Sequence, residues 1–551
     1  MSNLVALKQM IGRNSPFIVR IVGHLNKHEL VYQELFYLLL YKFFVLMRLT
    51  RVGRRVLEHG MARHTGSLAL FSELCIYYAN QKTFEMTLAF YNQMIVAYPQ
   101  VRHAEVAAQL AMFYEQAMEF EKGLLYWRLG ERGSANINGL LCQALLKDPA
   151  ATNASLMEAH RQWAARWVST NAPRCNNIPA NRPDAGADGR PVRIGFTCSF
   201  WAASTIRFQF LSWLKHIDRS RYSIYFYVGD PVVPIHLYGY ADVVRHTPVA
   251  TVSDDAFVTL VQNDAIDIFF ELNGYSFGHR FVALAQRCAT VQVSYLNHTA
   301  TCGVPNVDYI IADDICVPEG QDKFYTERVF RLPRSFFCFN FEEEDMPLSN
   351  TPPVMSNGYV TFGFFGSPTK FNNIFIRLMV KVLQATEGSK LLMANSGLTL
   401  PENRMNIKKR FSALGIDPSR LLLYPEQNRY GIAKLHMKVD VTLDSWPYCG
   451  GNTLAESLWY GVPAITLKGD RFSNRYGASI LSAAGLPDMV ACSEEEYVQL
   501  SVAVSSNVSR LADLRLNLRR TMCRKGMFSD TKAFAHDMAR AFDTMFQETA
   551  N

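Results

Sequence analysis

The chain has 551 residues, 49% of them apolar and 19% charged, with a formal net charge of +7. That balance excludes a disordered polymer, and the length exceeds what one hydrophobic core serves, so three or four units are expected. The positive charge is dispersed, with no basic block longer than "KKR" at 408–410, which excludes a nucleic-acid binder and leaves room for a small anionic ligand.

The first residues, "MSNLVALKQMIGRNSPF", lack the charged start, clean apolar core and small-residue cleavage site of a secretory leader. The most apolar stretch, "ELVYQELFYLLLYKFFVLMRL" at 29–49, is interrupted by Gln33, Glu34 and Lys42 and reads as a buried or partner-facing helix, not a membrane span. Residues 1–66 form an N-terminal helical segment on this reading. Residues 67–168 read as TPR-like helical repeats, and over 67–131 a pattern recurs: "YANQKTFEMTLAFY" from Tyr78 and "YEQAMEFEKGLLYW" from Tyr114 align Phe84 with Phe120, 36 residues apart. That period is close to the helix pairs of tetratricopeptide repeats, which stack because no pair buries its apolar face alone. "NASLMEAHRQWAARW" closes the helical part, with Asn153 or Ser155 as the expected cap and Met157, His160, Trp163 and Trp167 on one face. An Asn-, Pro- and Gly-rich linker at 169–191 follows.

From Arg193 the period changes, and strands alternate with helices over 192–345 and again over 355–546, the signature of two doubly wound parallel sheets in tandem. Ligands of such sheets bind beyond the carboxyl ends of the strands. Three strand-to-helix junctions of the second unit carry anion-binding chemistry. "FGFFGSPTKFN" presents Ser367 and Lys370; "VDVTLDSWPYCGGNTLAESLWYG" places Gly450, Gly451, Asn452 and Thr453 in front of a helix that carries Glu456; "GDRFSNRYGASI" adds Arg471 and Arg475. Glycines before a helix leave its first backbone N–H groups and the positive end of its dipole open, a phosphate seat, and an ammonium adds charge.

The stretches "AHRQWAARW", "ELNGYSFGHR", "LNHTATCGVPNVDYIIADDICVP", "GSPTKFN", "DSWPYCGGNTLAESLWYGVPAIT" and "NRYGASIL" occur in one order. In that order the chain resembles glycosyltransferase family 41, namely the bacterial relatives of protein O-GlcNAc transferases and, more distantly, the adhesin asparagine glycosyltransferases. The resemblance implies TPR-like helical repeats followed by a GT-B fold of two Rossmann-like domains. It implies inverting, metal-independent transfer of a sugar from a nucleotide donor, UDP-GlcNAc, to Ser or Thr of a protein acceptor such as flagellin or an adhesin. The alternatives are Asn-linked hexose transfer from UDP-Glc, or a repeat scaffold whose transferase half has degenerated; a nucleotide-sugar epimerase ranks below these, because Glu271 is the sole carboxylate near "ELNGYSFGHR". By position Lys370 matches the family lysine on the donor diphosphate, Asn452 and Thr453 the phosphate loop, and Glu456 an Asp that binds ribose. Ala203 stands where the O-GlcNAc branch has a His, and His298 where it has a Tyr, so Lys370 and His298 are the catalytic expectations. No cofactor or metal is expected, since no DxD pair occupies a cleft loop. Eleven cysteines without a CxxC pair point to free thiols in a reducing cytoplasm.

Overall fold

The computed structural model describes residues 37–42, 50–64, 67–81, 84–99, 101–168, 190–201, 203, 206–341, 351–426 and 428–550. Most of the apolar stretch at 29–49 therefore lies outside the described residues; 37–42 are helical, with Tyr37, Leu40 and Tyr41 buried. Of the linker expected at 169–191 only the last two residues are described. Among the described residues no helix is long and apolar enough to cross a membrane.

Two compact units divide the chain, one of residues 1–115 with 122–137, the other of 116–121 with 138–551. The first holds helices α1 (Thr50–Arg63), α2 (Leu68–Gln81), α3 (Phe84–Ala97), most of α4 (His103–Gln116) and most of α5 (Phe120–Leu129). The recurring aromatic residues pack on one another. Tyr78 stacks on Phe90 at 3.9 Å, Phe84 meets Tyr114 edge-on at 5.4 Å, and Tyr126 lies parallel to Tyr114 at 5.5 Å. Each helix pair thus borrows apolar cover from the next, as a repeat must.

The second unit holds most of α6 (Ala135–Leu145), which leads to α7 (Asn153–Trp167). The cap of α7 is Thr152, one residue before the expected Asn153. Its hydroxyl accepts from Ser155 N at 3.1 Å while the Ser155 hydroxyl accepts from Thr152 N at 2.8 Å, a reciprocal box that leaves Asn153 free to bond elsewhere.

Strands β1 (Val192–Cys198), β2 (Tyr222–Val228), β3 (Val243–His246), β4 (Ile268–Glu271), β5 (Val291–Ser294), β6 (Tyr309–Asp313) and β7 (Arg328–Leu332) form a parallel sheet in the order 3-2-1-4-5-6-7. A second parallel sheet takes β8 (Thr361–Phe364), β9 (Lys390–Ala394), β10 (Leu421–Tyr424), β11 (Val441–Leu443), β12 (Ala464–Leu467) and β13 (Val490–Ala491) in the order 10-9-8-11-12-13. Central strands such as "IFFE", "TFGF" and "AITL" are buried at every residue, because helices cover both faces. Each sheet changes winding direction beside its first strand, between β1 and β4 and between β8 and β11, and loops diverge there to leave a crevice. This is a GT-B architecture.

The last helix does not stay with the second sheet. α16 (Thr531–Ala550, after α8 Asp254–Asn263, α9 Asn373–Ala385, α10 Pro401–Ser412, α11 Arg429–His436, α12 Asn452–Trp459, α13 Tyr476–Ala483, α14 Glu494–Ser506 and α15 Val508–Met522) returns to the first. Phe534 packs on Trp213 at 5.7 Å, Phe542 on Tyr222 and Phe270 at 5.5 Å each, and Tyr222 donates to Asp543 at 2.6 Å. Residues 531–546, expected with the second Rossmann-like unit, thus belong by contact to the first, because the apolar stripe Phe534, Met538, Phe542 and Met545 finds its cover there.

Candidate functional site

Lys370 follows β8 and the "SWPYCGGN" loop follows β11, so the two stretches flank the switch point of the second sheet. Asn372 fixes both. Its Oδ1 accepts from Phe375 N at 2.9 Å, capping α9, and its Nδ2 donates to Trp446 O at 2.7 Å. The chain before the cap carries Lys370, whose ammonium donates to Cys449 O and lies 4.6 Å from the centroid of the Tyr448 ring. Tyr476, from α13, donates its hydroxyl to the same carbonyl.

A pocket of about 180 Å³ opens at this point, lined by Lys370, Tyr448, Gly451, Asn452 and Tyr476 from the second domain and by Gln209, Leu296, Asn297, Thr299, Phe336 and Phe337 from the first domain and the segment after β7. Helix α12 begins at its wall. Gly451 is the N-cap and no side chain caps the helix, so its first N–H groups keep their donor capacity, and the Oδ1 of Asn452 is buried without a partner among the described residues. Burial lowers the Lys370 ammonium to about 8, opposed by the attraction of Asp444, while Lys147 adds repulsion. A cation, open backbone donors and aromatic walls in one concave site suit an anion attached to a flat or cyclic group.

The turn is shaped by Asp444, which sequence reasoning treated only as the end of a buried strand. Its Oδ1 accepts from Gly450 N at 2.6 Å and Ser445 N at 2.9 Å, and its Oδ2 from the Thr466 hydroxyl at 2.7 Å. Two glycines make room for it. A Cβ on Gly450 would come 3.0 Å from Asp444 Oδ1, and one on Gly477 would come 2.6 Å from Oδ2. Gln209, Phe336 and Phe337 were also missed, because nothing local marks residues that reach the pocket from another domain.

Of the site residues expected from sequence, Lys370, Gly451 and Asn452 line the pocket. Thr453 lines a smaller cavity behind the loop with Asp444 and Ser445, and Gly450 is the residue Asp444 grips. Glu456 is half-buried one turn further along α12. Ser367 is exposed, its hydroxyl accepting from Thr369 N at 3.4 Å, and it lines neither cavity. Arg471, expected to add to an anion site, is 1% exposed and donates to Asp148 O at 3.1 Å, so its charge ties down the turn after α6 instead.

His298 meets a geometry unlike the one expected of a group at the reacting centre. Its neighbours Asn297 and Thr299 line the pocket, but the imidazole is 2% exposed and bonds through Nε2 to Thr301 O at 3.0 Å. It packs against His160 of α7 at 4.9 Å and Tyr275 at 5.1 Å. Burial, together with repulsion from His160, holds its basicity well below the ordinary imidazole range, so the ring is neutral and the correction is physical: a base needs access, and this ring has none.

A profile of glycosyl transferase family 41 matches residues 242–348 and 357–538, more than half of the chain. Over 398 residues the chain is 29% identical to a rice protein named "Probable UDP-N-acetylglucosamine--peptide N-acetylglucosaminyltransferase SPINDLY", covering 71% of this chain and 42% of that protein. The Arabidopsis thaliana protein of the same name is 29% identical over 399 residues, covering 71% and 43%. The chain therefore spans less than half the length of these plant relatives. In three dimensions it is similar to a mutant form of the Thermobaculum terrenum O-GlcNAc transferase, with a TM-score of 0.79, 24% identity, and coverage of 94% of this chain and 98% of that one. That likeness fixes the fold, and the profile spans every pocket-lining loop after β4 of the first domain and those of the second: this chain belongs to glycosyl transferase family 41.

Proposed function

We propose that the chain transfers a sugar from a UDP-sugar, UDP-GlcNAc in the first instance, to Ser or Thr side chains of a protein acceptor, inverting the anomeric centre and using no metal. The observation that carries this is the convergence of Lys370 and the uncapped N-terminus of α12 on one pocket at the switch point of the second sheet. The names of the plant relatives support the donor and the class of acceptor. In this reading the acceptor oxygen bonds to C1 from the face opposite the diphosphate, the bond from C1 to the diphosphate breaks with its electron pair left on the phosphate oxygen, and the hydroxyl proton passes to the departing diphosphate, since no carboxylate or imidazole is among the described residues that line the pocket. The charge that develops on the leaving diphosphate is met by Lys370 and by the N–H groups around Gly451, Asn452 and Thr453, an electrostatic contribution of the largest kind in such chemistry. Gly450 supplies the close approach, Ser367 the turn before Lys370, and Glu456 accepts the ribose hydroxyls. The helical repeats present the acceptor, a flagellin or adhesin by analogy, in the cytoplasm.

Calorimetric titration with UDP and with GDP, followed by mass spectrometry of proteins labelled from a panel of sugar nucleotides with and without EDTA, tests the reading. UDP binding and EDTA-resistant labelling of Ser or Thr are expected. Hexose on Asn would replace the acceptor assignment, and binding without transfer would leave a scaffold.

Two expected outcomes follow from ionisation. An anion beside Lys370 raises its lowered basicity back towards the ordinary range, so above about pH 8 binding takes up a proton. UDP affinity is then level between about pH 7 and 8 and falls by up to about tenfold per unit above it, as free Lys370 loses its proton. Titrations at pH 7 to 10 check this, and a flat profile would remove Lys370 from the donor site. For His298, held neutral, we assign a positioning role through Asn297 and Thr299. His298→Ala is expected to lower the melting temperature and turnover together while the acid limb of the kcat/KM profile stays where it is in the wild type; a vanished limb would restore the ring as a base.

A further inference from the structure

The carbonyl that accepts from Lys370 and the N–H that donates to Asp444 belong to the same peptide unit. Cys449 O takes the Lys370 ammonium and the Tyr476 hydroxyl, and Gly450 N donates to Asp444 Oδ1 at 2.6 Å. We propose that Asp444 is a positioning residue for Lys370, acting on the ammonium through the Cys449–Gly450 peptide that lies between them.

An amide gripped by an anion at N–H and by a cation at C=O is polarised along both bonds, each hydrogen bond strengthening the other. The fold has made this arrangement rigid. Asp444 is 4% exposed, its second oxygen is tied to the Thr466 hydroxyl at 2.7 Å, and its backbone carbonyl accepts from the Tyr497 hydroxyl at 3.1 Å. The absence of a Cβ at Gly450 and Gly477 is what allows the carboxylate to sit against the turn. Burial raises Asp444 to about 6, so it is ionised at neutral pH. The groups around Lys370 among the described residues are Asp444 at the end of β11, the Cys449 thiol, the Tyr448 ring, Tyr476 from α13 and Lys147 from the turn after α6; Asp444 is the anion among them, and it has no direct hydrogen bond to Lys370. Removing its charge therefore weakens the hold on the ammonium without removing a contact the lysine makes itself.

The inference rests on the reading of Lys370 as the donor-site cation, but its test does not. In the ligand-free full chain, the rate of Lys370 acetylation by acetic anhydride is followed by peptide mass spectrometry as a function of pH. The wild-type midpoint is expected near 8. In Asp444→Asn, which keeps the shape, it is expected to fall by about one unit or more, and in Thr466→Val, which loosens the same carboxylate but leaves its charge, to stay. A merely structural role for Asp444 would disturb the melting temperature of both variants and shift neither midpoint. A folded Asp444→Asn protein that titrates with the wild type overturns the proposal. Should that variant not fold, Tyr476→Phe carries the test: freeing Cys449 O for the ammonium alone must raise the midpoint, and an unmoved one overturns the relay. None of these outcomes depends on whether UDP is the donor.

Discussion

Lys370→Ala is expected to reduce kcat by roughly 10²-fold or more, about 2.7 kcal/mol, the effect of removing one strong donor to a developing anion. The ammonium stands in the pocket wall, on Cys449 O and over Tyr448, with the N-terminus of α12 beside it. A diphosphate gains negative charge as the bond to the sugar breaks, so a fixed cation acts more strongly in the transition state than on the bound donor. On the proposed function UDP affinity is expected to fall as well, since the free product carries that charge in full. Lys370→Arg is expected to restore only part of the activity. A planar guanidinium does not fit the seat of a compact ammonium held between a carbonyl and a ring face. Steady-state kinetics on folded variants, with UDP titrations alongside, check both. Wild-type turnover in Lys370→Ala would mean that the loop after β8 is not the donor site.

Trp163→Ala is expected to cost about 3–5 kcal/mol of stability, the usual penalty for emptying a buried indole site. Trp163 is 1% exposed and meets Tyr275 edge-on at 4.7 Å and His279 at 5.3 Å. On the same helix the His160 ring accompanies it, Nδ1 bonded to Leu156 O at 2.6 Å, and the Cβ that Gly303 lacks would lie 2.6 Å from His160 O. Helix α7 is thus built into the first Rossmann-like domain and supports the loop that carries Asn297 and Thr299 to the pocket. A drop in melting temperature of about 3–6 °C is expected for a unit of this size. The end of the same face gives the control: Trp167, half-buried with its N–H on Asn138 Oδ1 at 3.2 Å, should cost far less when changed to Ala. Equal melting of wild type and Trp163→Ala would mean that α7 is a mere connector. Removal of residues 1–165 takes all but the last two residues of α7 with the repeats, so its loss of activity would speak about folding and not about acceptor binding.

The alternation of strand and helix periods was enough to read two parallel doubly wound sheets, because strands buried on both faces are continuous apolar runs and their crossover helices carry one apolar stripe. The Gly-rich junction before Asn452 and the lysine after Ser367 were legible too, since a helix N-terminus and a loop cation are local features that adjacent residues create. Long-range contacts left no such trace. That α16 returns to the first sheet is settled by where Phe534 and Phe542 find cover, and an amphipathic stripe does not say which face it will meet. Sequence placed Arg471 and His298 at the site by residue type, and the fold buried both, the first on Asp148 O and the second against His160 and Thr301 O, because a charge or a ring is used by whichever partner packing brings within reach. Asp444 shows the same limit from the other side. In the sequence it is six residues from Gly450 and 74 from Lys370, and only the folding of β8 beside β11 brings carboxylate, peptide and ammonium into one line. Periodicity and the order of the motifs carried the two sheets and the family; which side chains meet in the pocket was decided by tertiary packing, whose directional contacts between distant segments no local pattern encodes.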